Sequence, residues 1–253
     1  MSQVALYDGR DAESLRVRLG MPRVALYCSV SSTMDVGHVL ASGGAEAGTL
    51  VLADRQTAGR GRGGRRWSSA SGAGVWFTLI ERLEDRAALR VLSLRVGLCL
   101  ARVLDRYATA PVRLKWPNDL YVGAGKLAGV LAEVRWTAGR PEWVAIGVGI
   151  NVRLPAEIDG AAALCDPDRV RLLEAVLPAV REAAQSTGIL TESELSAFAE
   201  RDLARGRVAL TPAAGRVAGI DAEGHILIAG PTGIDRFGSG SLVLEPLPHD
   251  PRT

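Results

Sequence analysis

The chain has few cysteines, few aromatic residues and little net charge, and these shortages exclude several classes of protein. It has 253 residues, of which three are cysteine and 5% aromatic, and its formal net charge is +2. Cys28, Cys99 and Cys165 are too widely spaced for a zinc finger or a dense disulfide framework, and their apolar surroundings predict reduced, buried thiols. So small a charge does not by itself indicate a nucleic-acid-binding protein.

The sequence also lacks long apolar runs. Its longest stretch without Asp, Glu, Lys or Arg, from Trp67 to Ile80, is interrupted by serine and glycine. That stretch is shorter than the roughly 20 apolar residues that a membrane-spanning helix needs. Asp8, Asp11 and Glu13 precede any apolar run, so no secretory signal is predicted. We therefore expect no membrane partner and a cytoplasmic location.

The pattern of apolar residues predicts an α+β fold. Hydrophobic residues make up 47% and charged residues 23% of the chain, which is typical of globular domains. Apolar runs predict strands over 23–30, 49–53, 74–80, 112–116, 126–134 and 143–150, and three-to-four spacing predicts helices over 11–19, 34–40, 86–107, 170–184 and 192–203. The polar segment between 53 and 74 predicts a long loop. After Gly206, short strands alternate with glycine-containing turns, which predicts a small second domain. The fold class is therefore a mixed or antiparallel sheet with packed helices.

The segment from Gly59 to Arg66 is rich in arginine and glycine, with four residues of each type. Because like charges repel and glycine leaves the backbone flexible, we expect an anionic ligand to order this segment. Gly59, Gly61 and Gly64 match the spelling G-x-G-x-x-G, but the arginines and the lack of a following apolar helix disfavour a dinucleotide fold. A solvated surface loop and an RNA-binding segment are the alternatives. A single copy between two strands favours one small anionic ligand.

Two further segments carry polar or glycine residues at the ends of predicted strands. The run Lys115–Asp119 is followed by Lys126, Gly129 and Glu133. Pro117 keeps the preceding residue extended, which presents the adjoining amide and carboxylate rigidly at a strand end. An ordinary turn with an exposed lysine is the alternative interpretation. In residues 147–151 a strand carries two glycines and ends in asparagine, a pattern that indicates close approach of another group to the backbone.

In their order and spacing, these segments resemble the motifs of biotin protein ligases. The matching segments are Ser32-Thr33, Gln56 with Gly59–Trp67, Lys115–Leu120, Lys126–Glu133 and Gly147–Asn151. The resemblance covers residues 23–152 and implies a class II synthetase-like ligase core with a small C-terminal SH3-like β-barrel. It divides the chain into an N-terminal extension with a short helix (1–22), a biotin- and ATP-binding catalytic domain (23–204), an SH3-like domain (205–247) and a frayed tail (248–253).

The resemblance also implies a two-step reaction. Biotin is activated with ATP to biotinyl-5′-AMP, and the biotinyl group then passes to a lysine of a biotin carboxyl carrier protein or domain of acetyl-CoA carboxylase or a related carboxylase. ATP and biotin are substrates, and Mg²⁺ is expected on the phosphates, although no dense carboxylate cluster marks a metal site. A homodimer is compatible with the sequence. A lipoate ligase is the nearest enzyme alternative, and a nucleic-acid-binding protein is the alternative from another class.

The family's functional residues fall on the following positions of this chain. Biotin contacts are expected from Ser32, Thr33, Gln56, Gly59, Arg60, Gly61, Lys126 and Gly129. Contacts to ATP and the adenylate are expected from Arg60, Arg62, Trp67, Asn118, Lys126 and Asn151. Lys126, Arg60 and Arg62 are the candidate catalytic cations, because positioned positive charge offsets the repulsion between a carboxylate and a phosphate. Asp119 is the candidate base or orienting group for the attacking amine.

Two features depart from the pattern of the family. Met34 stands where many relatives carry asparagine, so one hydrogen bond near biotin is expected to be missing or to be supplied by another group. Only 22 residues precede the first core strand, too few for a winged-helix DNA-binding domain, and no basic recognition helix is present in the pattern. We therefore expect no DNA binding and no role as a transcriptional repressor.

Overall fold

A mixed sheet forms the centre of the computed structural model, which describes residues 5–154, 160–165 and 167–246. Its eight strands within those residues are β1 (Arg23–Val30), β2 (Thr49–Arg60), β3 (Arg66–Ser69), β4 (Gly74–Glu81), β5 (Arg113–Lys115), β6 (Asp119–Val122), β7 (Gly125–Thr137) and β8 (Arg140–Asn151). The strand order is β1-β2-β4-β8-β7-β6-β5, and β3 pairs with β2. Only the β1–β2 pair is parallel among these described strands. The predicted mixed sheet is therefore confirmed.

Helices pack around this sheet and begin where the sequence supplies capping side chains. The described helices are α1 (Ala12–Leu19), α2 (Thr33–Ser42), α3 (Arg86–Leu104), α4 (Arg169–Gln185) and α5 (Glu192–Arg201). Oxygen atoms of Asp11, Ser32, Asp85, Asp168 and Thr191 accept hydrogen bonds from the first free backbone N–H groups, as N-cap residues do. Helix α3 packs against α4 and against the sheet. No helix in the described part of the chain has the length and apolarity of a membrane-crossing segment.

A second, smaller sheet follows α5. Its strands are β9 (Val208–Thr211), β10 (Gly215–Ile220), β11 (Ile226–Gly230), β12 (Gly233–Phe237) and β13 (Val243–Leu244), in the order β12-β11-β10-β9-β13 with antiparallel pairing. The buried residues Ile226 and Ile228 belong to the same apolar cluster as the large sheet. The indole N–H of Trp116 donates to the carbonyl of Gly224 at 2.9 Å. This bond ties the β10–β11 turn to the end of β5.

The arginine- and glycine-rich segment is a hairpin, so the predicted loop between residues 53 and 74 was mostly wrong. Strand β2 continues to Arg60, a 3-10 turn at Arg62–Gly64 reverses the chain, and β3 begins at Arg66. The backbone of Gly59 pairs with that of Trp67. Asp35 and Glu133, from other parts of the fold, pair with Arg60 and offset its charge. The composition of the segment does not reveal these carboxylates, so the repulsion predicted among its arginines was too large.

The three cysteines are free, and two of them lie at the surface. Cys28 and Cys165 are exposed, and Cys99 is half-buried. The prediction of buried thiols was therefore wrong for Cys28 and Cys165. Cys28 lies on β1, which is the edge strand of the large sheet, so apolar neighbours in sequence do not cover its side chain. The predicted frayed tail, 248–253, lies outside the described residues.

A buried ion pair joins α3 to α5. The Arg95 side chain is only 2% exposed, and its Nε donates to Glu194 Oε1 at 2.5 Å. The same guanidinium donates to the carbonyl of Ile189 at 3.0 Å. Burial opposes ionisation of Glu194, but the hydrogen bonds from Arg95 and from the backbone of Thr191 outweigh it and lower the pKa of this carboxyl. The pair therefore stabilises the fold in its charged form.

We expect Glu194→Gln to lower the free energy of unfolding by about 3 kcal/mol, because a buried guanidinium then lacks its counter-charge. Glutamine retains the capping-box acceptor of α5, so the variant isolates the charge. Since the pKa of Glu194 is lowered in the folded state, its contribution is present above the unfolded pKa of about 4.3 and is lost as pH falls through the folded value. Urea unfolding measures the change. Equal loss in the exposed control Glu192→Gln would contradict the prediction.

Candidate active site

A narrow cavity of about 110 Å³ opens between the start of α2, the β2–β3 hairpin and strands β6 to β8. Most residues predicted to form a site contribute to its wall. Those that do are Ser32, Thr33, Gln56, Arg60, Gly61, Arg62, Trp67, Asn118, Asp119, Lys126 and Gly129. The predicted residues thus come together from segments far apart in sequence.

One end of the cavity is a network of hydroxyl and amide groups. Gln56 Oε1 accepts from the backbone N–H of Thr33 at 2.8 Å and from its hydroxyl at 3.1 Å. Gln56 Nε2 donates to Ser69 Oγ at 2.7 Å. Ser32, which is fully buried, caps α2 beside them. These bonds orient the Gln56 amide, and they identify Ser69, which does not itself line the main cavity, as a supporting residue that the sequence analysis did not name. No sequence motif marks Ser69, and its role follows from its position opposite Gln56 in the hairpin.

The floor of the cavity is a stripe of strand glycines. A Cβ atom at Gly149 would lie 2.6 Å from Cε2 of the Trp67 ring, and one at Gly147 would lie 2.6 Å from Sδ of Met34. The predicted close approach to these glycines is therefore confirmed, and the approaching groups belong to the chain itself. The indole N–H of Trp67 is buried and has no hydrogen-bond partner among the described residues. A ligand carrying an acceptor would satisfy it.

The opposite end of the cavity is charged. Lys126 Nζ lies 2.7 Å from Asp119 Oδ1 and 5.1 Å from the centroid of the Trp67 ring. Asn118 Nδ2 donates to the carbonyl of Val130 at 2.7 Å, which fixes the turn that presents Asp119. Burial lowers the pKa of the Arg62 guanidinium, although nearby Asp119 opposes that shift. A desolvated cation of this kind interacts strongly with an anionic ligand.

Arg60 is held by two carboxylates from different elements. Its Nη1 lies 2.9 Å from Asp35 Oδ1, and its Nη2 lies 2.6 Å from Glu133 Oε1. Asp35 follows the start of α2, and Glu133 lies on β7. Neither carboxylate was among the predicted site residues. Glu133 is the last residue of the Lys126–Glu133 motif, which marks it as a possible site residue, whereas nothing in the sequence singles out Asp35.

Gly59 and Asn151 do not line the main cavity. A Cβ at Gly59 would lie 2.5 Å from the carbonyl oxygen of Trp67 and 3.0 Å from Gln56 Nε2, so glycine permits the tight hairpin. Asn151 is buried, and its Nδ2 donates to the carbonyls of Lys126 and Ala162 at 3.1 Å each. Asn151 lines an adjoining cavity that shares Trp67 and Lys126 with the main one. Both residues support the site from outside its main cavity.

The carboxylates at the cavity do not form a metal-binding cage. Asp119 is the one carboxylate that lines the main cavity within the described part of the chain. Three potential ligand groups do come together at Asp221, Glu223 and His225. These lie between β10 and β11 in the small sheet, outside the cavity lining. A metal ion at the cavity would therefore depend mainly on oxygen atoms that a ligand supplies.

Sequence comparison matches the segment that carries most of the cavity residues to a known protein family. Residues 26–151 match the biotin/lipoate A/B protein ligase family. The bifunctional ligase/repressor BirA of Bacillus subtilis (strain 168) is 40% identical over 124 residues, which are 49% of this chain and 38% of that protein. The biotin--[acetyl-CoA-carboxylase] ligase of Mycobacterium tuberculosis is 40% identical over 159 residues, 58% of this chain and 58% of that protein. The matches span less than two thirds of these relatives.

Structural comparison extends the likeness to most of the chain. The biotin protein ligase from Aquifex aeolicus, solved in complex with biotin and ATP, shares a TM-score of 0.70 and 28% sequence identity with this protein. The match covers 89% of this chain and 99% of that chain. The motifs, the sheet topology and both comparisons confirm the predicted resemblance. The chain belongs to the biotin/lipoate A/B protein ligase family.

Proposed function

We propose that this chain is a biotin protein ligase. It would join biotin and ATP to give biotinyl-5′-AMP and pyrophosphate, and then pass the biotinyl group to a lysine of a biotin carboxyl carrier protein or domain of acetyl-CoA carboxylase or a related carboxylase. The observation that carries the proposal is a single cavity with an oriented amide at one end, a glycine floor and a cluster of cations at the other. The Aquifex aeolicus relative was solved with biotin and ATP, which supports the same two substrates here.

The polar end of the cavity suits the ring of biotin. A cyclic urea presents two N–H donors and one carbonyl acceptor, and the hydroxyl and amide groups of Ser32, Thr33 and Gln56 can match them. The glycine stripe leaves space for the Trp67 ring and the Met34 thioether, which form one wall of this end of the cavity. The carboxylate at the end of the biotin side chain then points toward Lys126, Arg60 and Arg62. Ser32, Gly61 and Gly129 line this path, and Gly59 supports it through the tight hairpin, as the resemblance implies.

Adenylate formation brings two anions together, so its barrier contains a repulsion that positioned cations reduce. The biotin carboxylate oxygen forms a bond to the α-phosphorus of ATP, and the bond from that phosphorus to pyrophosphate breaks. Lys126 would leave Asp119 and contact both the carboxylate and the α-phosphate, while Arg62 offsets the growing phosphate charge. Asn118, Trp67 and Asn151 would contact the adenylate. Mg²⁺ bound to the nucleotide, with Asp119 as the available carboxylate, would neutralise part of the phosphate charge.

Transfer to the carrier requires a neutral amine. An ordinary lysine has a pKa of about 10.4, so its ammonium must lose a proton before the nitrogen attacks the biotinyl carbonyl. Asp119 would accept or orient that proton as the amide bond forms and AMP leaves. Its 2.7 Å contact with Lys126 gives the carboxylate a fixed direction before substrates bind. The proposal therefore treats this ion pair as a resting state that the substrates open.

We also propose the finer domain division implied by the resemblance. Residues 23–204 would form the biotin- and ATP-binding domain and residues 205–247 an SH3-like barrel. Support for the barrel comes from the five-stranded antiparallel sheet of β9 to β13, in which β13 returns to pair with β9. Residues 1–22 would form an extension, and a homodimer would be compatible with this arrangement.

Incubation with labelled biotin, ATP, Mg²⁺ and a carboxylase carrier fragment tests the function. We expect label on the carrier lysine and none on a fragment in which that lysine is arginine. Label from lipoate on a lipoyl carrier, without biotin transfer, would assign the chain to the lipoate branch instead. Salt-sensitive retention of RNA or DNA on a filter, unaffected by biotin and ATP, would favour a nucleic-acid-binding role.

The glycine floor gives a separate prediction. We expect Gly149→Ala to weaken biotin binding by about tenfold or more, because the added methyl group displaces the Trp67 ring and narrows the cavity. The control is Gly97→Ala on α3, where the added Cβ would meet only Leu114 Cδ2 at an ordinary 3.5 Å. Isothermal titration with biotin measures both variants. Wild-type affinity in Gly149→Ala would show that the ring has room to move.

A further inference from the structure

A histidine outside the cavity is hydrogen-bonded to the carboxylate that holds Arg60. Glu133 uses Oε1 for Arg60 at 2.6 Å, and its other oxygen, Oε2, lies 3.0 Å from Nε2 of His38. His38 lies on α2 and Glu133 on β7. Neither His38 nor Trp143, its other partner, lines the main cavity. The hydrogen-bonded path from the histidine to Arg60 therefore runs through Glu133.

The indole of Trp143 determines which nitrogen of His38 carries the proton. Trp143 is buried on β8, and its Nε1–H lies 3.1 Å from His38 Nδ1. An indole nitrogen can only donate, so Nδ1 must be the acceptor and the ring must hold its proton on Nε2. That proton points at Glu133 Oε2. The neutral histidine thus satisfies both neighbours at once.

These contacts form a directed chain from the core to the cavity. Trp143 donates to His38, His38 donates to Glu133, and Glu133 accepts from Arg60, whose other end is paired with Asp35 at 2.9 Å. Both His38 and Glu133 are less than one third exposed, which strengthens hydrogen bonds relative to bulk water. Arg60 itself is 39% exposed. A long, partly exposed arginine would otherwise lose side-chain entropy when a ligand fixes it.

We propose that His38 is a positioning residue that holds Glu133, and through it Arg60, in the orientation that meets the biotin carboxylate and the phosphates. This inference rests on the proposed function, because it takes Arg60 to contact those groups. His38 touches no substrate in this scheme. Its effect is preorganisation, and losing it should raise the KM for biotin more than it lowers kcat.

The first test does not depend on ligase activity. Nitrogen-15 NMR of the full-length wild-type protein reports the tautomer of each histidine side chain, and His38→Gln identifies its signals by their loss. We expect a neutral ring with the proton on Nε2 at neutral pH. Trp143→Phe removes the donor to Nδ1 while keeping a ring in the core, and it should shift the Nδ1 resonance, although Glu133 still accepts from Nε2. A wild-type His38 with its proton on Nδ1, or an Nδ1 resonance that Trp143→Phe leaves unchanged, would overturn the relay.

The second test compares two amide variants that differ by one methylene. The amide of His38→Gln reaches the position of Nε2 and can donate to Glu133, whereas the amide of His38→Asn reaches only the position of Nδ1. We expect the KM for biotin to rise about tenfold in His38→Asn and less than threefold in His38→Gln. Val39→Asn, at the next and exposed position of α2, is the control and should match wild type.

A double-mutant cycle separates positioning from a general loss of structure. If His38 acts through Glu133, then adding His38→Asn to Glu133→Gln should cause little further change in KM. Unfolding midpoints of both histidine variants should agree with each other. Equal KM values in His38→Asn and His38→Gln, or additive effects in the cycle, would overturn the role. Failure of the wild-type chain to biotinylate a carrier would instead refute the proposed function, while the NMR result would still decide the relay.

Discussion

Replacing Lys126 with alanine is expected to slow adenylate formation by about 10²–10³-fold, the usual cost of removing one group that stabilises developing charge in a transition state. Lys126 lines the main cavity and two further cavities beside it. It is 2.7 Å from Asp119 and close to the face of Trp67. A cation in this place can contact the biotin carboxylate and the α-phosphate together, which lowers the repulsion between them.

Biotin-dependent exchange of labelled pyrophosphate into ATP measures this step alone. Transfer from preformed biotinyl-5′-AMP to the carrier should fall much less in Lys126→Ala, because the phosphate has already been activated. The chain contains one other lysine, Lys115, which supplies a matched control. Lys115 does not line the main cavity, and Lys115→Ala should retain exchange within about threefold of wild type. Unchanged exchange in Lys126→Ala, or equal loss in both variants, would remove Lys126 from its proposed role.

Asp119→Asn is expected to show the opposite pattern, with transfer from preformed adenylate slowed by about 10²-fold, the usual contribution of a general base. Asparagine keeps the size of the side chain and its place after Asn118, so the variant tests the charge. Without the carboxylate, the carrier lysine must lose its proton to water. The pKa of the lysine is about 10.4. Below that pH, each increase of one pH unit raises the neutral fraction of the amine about tenfold.

Transfer by Asp119→Asn should therefore increase more steeply with pH than transfer by wild type. Single-turnover labelling of the carrier between pH 7 and pH 9 measures this slope. Wild-type rates at neutral pH would exclude Asp119 as the base. A uniform loss of pyrophosphate exchange and transfer, with no pH rescue, would instead assign Asp119 to holding Lys126. The ion pair between the two residues makes their effects non-additive.

Local pattern was sufficient for the longer elements of the fold. Helix α3 was predicted because 19 residues repeat apolar side chains at helical spacing, which few other structures accommodate. Strand β6 was missed because its four residues, 119–122, lie between two turn segments and are too few to show the alternation of apolar and polar residues that marks a strand. The hairpin after Arg60 was missed for a different reason. Its arginine and glycine composition predicts a loop, whereas its strands are joined by backbone pairing, which composition does not show.

The sequence by itself determined the family, the α+β fold class and most residues of the cavity, because motif residues carry a chemistry that can be recognised without coordinates. Only the tertiary structure decided which groups hold the side chains that line the cavity. Ser69 meets Gln56 through hairpin register, and Asp35 reaches Arg60 from a separate helix. Such contacts join residues far apart in sequence, and their strength depends on distances and burial that only the packed fold establishes.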